Sequence, residues 1–103
     1  MIIWYRGLFT DKEAGKHLNK VKRKLEKGER YFNLYAICKP SNEANLFDII
    51  AANELCFPHY QNNKIKIIGL AFGRDSAIKL MSHIVEEVYQ KTNDVAVWDY
   101  YTF

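Results

Sequence analysis

Cysteine is scarce in this chain. Its 103 residues hold two, Cys38 and Cys56, too few for the disulfide frameworks that staple small secreted domains. Both thiols are expected to be free, in a reducing, cytoplasmic setting. Proline and glycine are scarce too, at two and five residues. With no Gly/Ser/Pro-rich linker, internal repeat or low-complexity tract, residues 1–103 read as a single α/β domain. Long apolar runs are also missing. Arg6 interrupts the opening Met1-Ile2-Ile3-Trp4-Tyr5, so no signal peptide is expected there, and nothing approaches the ~18 apolar residues that cross a bilayer. A membrane partner is not expected.

Familiar chemistry is absent as well. Three histidines and two cysteines lie scattered, without the spacing of a metal site. Glu86 and Glu87 would diverge by ~100° on a helix, so they form no carboxylate pair. The stretch from Gly69 to Ser76 joins a strand to a helix, as phosphate-cradling loops do. Its glycine spacing is one short of a Walker loop, however, Arg74 stands where lysine is required, and Asp75 would repel an anion. Cys56, Pro58 and His59 suggest thiol chemistry. On a strand, though, Cys56 and His59 point to opposite faces. A thioredoxin-like redox motif would also open the first helix, where no cysteine stands. No catalytic residue, metal or cofactor is expected.

What remains is ordinary globular material, 49% hydrophobic and 26% charged, enough for a core without staples. Residues 2–9 read as a strand. Thr10-x-x-Glu13 reads as a capping box for a helix with Ala14, Leu18, Val21 and Leu25 on one stripe, stopping at Gly28. Residues 31–38 read as a strand, and Ser41 as the cap of a second helix carrying Ala44, Phe47, Ile50 and Ala51. Pro58 makes residues 55–60 an edge strand or a turn. Residues 64–72 form the clearest strand. A third helix, capped by Asp75 or Ser76, buries Ala77, Leu80, Met81, Ile84 and Val88 and ends at Asn93. Residues 95–103 read as a last strand.

Two architectures fit this order. One is a ferredoxin-like βαββαβ sandwich with an additional helix between the middle strands. The other is a thioredoxin-like three-layer α/β/α arrangement. The strands at 2–9 and 64–72 are apolar on both alternating faces, which marks strands covered on both sides.

Two surface features carry functional expectations. The net charge is only +3, but eight of the fifteen Lys and Arg residues fall between positions 11 and 30, against four acids. On a helix, Lys16, His17, Lys20, Arg23, Lys24 and Lys27 share a sector of about 120° opposite the apolar stripe. That sector is a candidate surface for phosphates, a nucleic-acid backbone or an acidic partner, although no aromatic residue on it offers a stacking platform. The second feature is an aromatic content of 15%, concentrated on expected strands. In the ferredoxin-like arrangement one sheet face keeps too few helices, so Trp98, Tyr100 and Tyr101 are expected to bury against a second copy as a homo-oligomer. The expected function is a non-enzymatic, self-associating binding or regulatory module. The alternatives are a nucleic-acid or anionic-ligand binder using the basic helix face, and a small thiol-dependent or other enzyme.

Overall fold

The fold is described by a computed structural model over residues 1–40, 45–94 and 97–101. It is a mixed α+β fold on a four-stranded mixed sheet, whose strands are β1 (Ile2–Thr10), β2 (Leu34–Cys38), β3 (Asp48–Ala51) and β4 (Ile65–Phe72), in the order β1-β4-β2-β3. β1 runs parallel to β4, while β2 is antiparallel to both β4 and β3. β4 is central and buried from Ile67 to Ala71, as its unbroken apolar run requires. Gly69 lies where β1, β2 and a helix converge. A Cβ there would stand 3.2 Å from Ile37 Cδ1 and 3.3 Å from Leu80 Cδ2.

The first helical region departs from expectation at both its start and its middle. Asp11, not Thr10, is the cap: its Oδ1 accepts from the Ala14 N–H at 2.8 Å, while Oδ2 accepts from the Phe72 N–H at 3.1 Å. One carboxylate therefore satisfies two chain ends, which a threonine hydroxyl could not do. The helix then breaks at His17 into α1 (Lys12–Lys16) and α2 (Leu18–Glu26). The stripe survives the break, with Ala14, Val21 and Leu25 buried. The region stops at Gly28, whose φ of 74° suits glycine.

Further expectations are corrected. Of the expected second helix, Ser41 and Ala44 lie outside the described residues, and Ile49 and Ile50 belong to β3, paired with Ile37 and Ala36. A short apolar run fits either period, and β-branched isoleucines beside an open strand edge favour pairing. Residues 55–60 are not a strand either. They fall in two short helical turns, α3 (Ala52–Leu55) and α4 (Pro58–Gln61), with Pro58 at the start of the second, where its missing N–H costs nothing. Gly73, with φ 91°, opens α5 (Arg74–Thr92) ahead of Asp75 and Ser76. Asn93 ends it at φ 57°. The expected last strand contains α6 (Val97–Tyr100) instead.

These corrections decide the layering. Ala14, Val21, Leu25, Ala52 and Leu55 pack with Leu34, Ala36, Cys38, Ile67 and Leu70 on one face of the sheet. Ile84, Val88, Val97 and Tyr101 pack with Ile37 and Ile68 on the other. Both faces are covered, by α1–α3 and by α5–α6. The chain is thus a mixed α+β fold with helices on both faces of a four-stranded sheet ordered β1-β4-β2-β3. Among the described residues no helix is long and apolar enough to cross a membrane.

Candidate functional site

The basic face survives the helix break. Lys16, His17, Lys20, Arg23 and Lys27 are exposed and Lys24 is half-buried. They stand on the outer side of α1–α2 because Ala14, Val21 and Leu25 hold the inner side against the sheet. His17 is not on a regular turn but at the junction of the two helices.

The fold adds to this face what the sequence did not offer, an aromatic border. Trp4, on the edge strand β1, lies under Lys22, whose Nζ is 5.2 Å from the ring centroid. Its Nε1 donates to Glu26 Oε1 at 2.8 Å. Tyr31, in the loop after α2, lies under Lys24 Nζ at 5.5 Å. It also packs on Phe72, and its backbone N–H donates to Asn53 Oδ1 at 3.0 Å. The adjacent Phe32 projects into solvent at 85% exposure. A cation over a ring face is an electrostatic contact with the aromatic quadrupole. Lys22 and Lys24 stand about 200° apart around α2, so Trp4 and Tyr31 flank the helix on two sides, with Tyr31 on the side of the basic sector. No spacing rule in the sequence links Trp4 or Tyr31 to the helix, since the crossing of α2 over β1 brings them together.

A second polar feature went unread in the sequence. A cleft of about 360 Å³ opens where β2 ends and β3 and β4 begin. Lys39, Lys64 and Lys66 line it together with His59, and among the described residues Asp48 is the carboxylate in its lining. Tyr60, Ile50 and Ile65 supply the apolar wall. Burial, and then the Asp48 carboxylate, push the Cys38 thiol well above its ordinary range. Partial burial, followed by Glu54, Asp48 and Cys38, raises the Tyr60 phenol.

The two thiols differ in their surroundings. Cys38 is 1% exposed and held protonated by its surroundings, the opposite of an activated nucleophile. Cys56 is half-buried at the end of α3, and its Sγ donates to the Asn53 carbonyl at 2.9 Å. His83 is exposed on α5. Among the described residues no three of His, Cys, Asp and Glu come together as metal ligands would.

The aromatic residues near the carboxyl end divide. Tyr101 is 6% exposed, makes edge contacts with Tyr5 and Phe9, and donates through its hydroxyl to Glu87 Oε2 at 2.5 Å. Trp98 is half-buried against Phe47, its Nε1 donating to the Leu46 carbonyl at 2.8 Å. Tyr100 is 37% exposed, with Lys91 Nζ 5.9 Å from its ring. Compared with known proteins, the chain matches no family model, no curated protein and no solved structure.

Proposed function

We propose that this chain is a non-enzymatic binding module whose α1–α2 layer holds single-stranded nucleic acid, with lysines on phosphates and Phe32 on a base. One observation carries the reading: exposed Lys16, Lys20, Arg23 and Lys27 share a layer with Lys24, which overlies Tyr31, and the neighbouring Phe32 is exposed. A cationic track supplies sequence-independent affinity, and a ring free to stack supplies about 1–3 kcal/mol per base. The reading does not depend on whether the sheet is classed as ferredoxin-like or thioredoxin-like. The sheet face that the expected self-association was to bury carries α5 and α6.

Fluorescence anisotropy with a labelled oligothymidine tests the proposal. Affinity should fall steeply with salt, with a log–log slope of about −0.7 for each neutralised phosphate. Replacing Lys16, Lys20, Arg23 and Lys27 by glutamine should flatten that slope by up to about 3. Because exposed substitutions shift stability by no more than ~0.5 kcal/mol each, the thermal midpoint should hold. Phe32→Ala should weaken binding with little change in the slope. Failure to bind at low salt, or equal affinity in the quadruple variant, would make the cluster a solvated helix exterior.

A further inference from the structure

The cleft at the end of β2 shares no residue with the α1–α2 face, and its chemistry differs. Three strand or turn segments build it: Cys38-Lys39 where β2 ends, Asp48 and Ile50 on the neighbouring β3, and residues 59–66 leading through α4 into β4. Backbone pairing fixes their relative positions. Cys38 stands opposite both Asp48 and Ile67, and the Lys39 N–H donates to the Lys66 carbonyl at 2.9 Å. The α4 turn is tied in as well, since the amino terminus donates to the carbonyls of Gln61 and Asn63. The frame is therefore pre-organised.

Its lining is unequal in charge. Lys39, Lys64 and Lys66 outnumber the single carboxylate of Asp48, with the His59 imidazole beside them. Such a surplus at the mouth of a concave site favours a ligand with more than one negative charge. The wall differs in character, because Ile50, Ile65 and the Tyr60 ring offer an apolar surface to a flat or cyclic group. Asp48 is an acceptor only, so it suits a ligand that also carries hydroxyl or amine donors. A volume of about 360 Å³ lies at the lower end of small-molecule sites. It is larger than a bare inorganic anion needs.

From this combination we propose that the cleft binds a small organic phosphate of mononucleotide size, with its phosphate on Lys39 and Lys64, its ring against Tyr60 and Ile65, and its hydroxyls on Asp48. The site is independent of strand binding by α1–α2 and stands if that reading fails.

Titrating the isotope-labelled full chain with adenosine monophosphate, adenosine and inorganic phosphate, while following backbone amide shifts, tests the proposal. Adenosine monophosphate should perturb Lys39, Asp48, Tyr60 and Lys64, and bind at least about tenfold more tightly than either fragment, the fold-change that 1.4 kcal/mol represents. Lys39→Gln with Lys64→Gln should cost about tenfold for the nucleotide, with the melting temperature unchanged. Asp48→Asn should weaken nucleotide and adenosine together and leave inorganic phosphate as before. Shifts confined to the amides of residues 12–27, none at the cleft up to millimolar ligand, or equal binding by either fragment would overturn the proposal. The wild-type shift map decides the matter even if a variant fails to fold.

Discussion

Cys38 shows how burial turns a reactive side chain into a structural one. Desolvation comes first and the Asp48 carboxylate second, and both oppose thiolate formation. The folded protein therefore holds this proton more tightly than the unfolded chain, in which a thiol ionises near its ordinary value of 9.0. The contribution to stability is complete below that value and is lost as pH rises above it. Urea midpoints should be level from neutral to about pH 8 and decline beyond pH 9, and Cys38→Ala should show a shallower decline. Native Cys38 should also label slowly with thiol reagents. Tyr101 is the second case, its phenol raised by burial and then by its hydrogen bond to Glu87. Tyr101→Phe keeps the ring against Tyr5 and Phe9 but removes the donor. Chemical denaturation should register a loss of about 1.5–3 kcal/mol, the range for hydrogen bonds to charged groups.

At the scale of elements, the short pieces depend on partners more than on their own propensity. The five residues of α1 cannot stand alone as a helix. They are held by Asp11, which caps the Ala14 N–H, accepts from the Phe72 N–H, and donates its own N–H to the Leu70 carbonyl at 3.2 Å. Asp11→Ala should cost about 2 kcal/mol, combining the lost cap with an N–H left partly buried and unpaired. Asp11→Asn, which keeps one acceptor oxygen, should recover roughly half of that. Equal melting temperatures for wild type and Asp11→Ala would show that the cap contributes nothing.

For the whole molecule the layer count matters most. Each sheet face has its own apolar cluster and its own helices, a layered core of the kind that domains are built from. Tyr101, expected at a subunit interface, is inside. Light scattering across a micromolar dilution series should accordingly give a constant monomer mass. A concentration-dependent dimer would point to exposed side chains such as Tyr89, Tyr100 or Phe57, because both faces of the sheet carry helices.

How far the sequence reached follows from the range of the forces involved. The apolar stripe of the first helical region, the doubly apolar runs of β1 and β4, and the stops at Gly28 and Asn93 were legible because periodicity and φ preference act within a few residues. The exposure of the lysine cluster was legible for the same reason, as it lies opposite that stripe. Ile49-Ile50 and residues 97–100 were not, because a short, mostly apolar segment fits a strand or a helical turn until a neighbour chooses. For Ile50 the neighbour was the open edge of β2, and for Val97 and Tyr101 it was the surface of Ile37, Ile68 and Ile84. Local patterns also could not bring Trp4 under Lys22, or Lys39, Asp48 and Tyr60 around one cleft, since those residues are distant in sequence and meet only through strand order. The sequence by itself determined which surfaces are apolar and which are cationic. Tertiary structure decided which of them meet, because the register of four strands sets those distances and no local preference encodes that register.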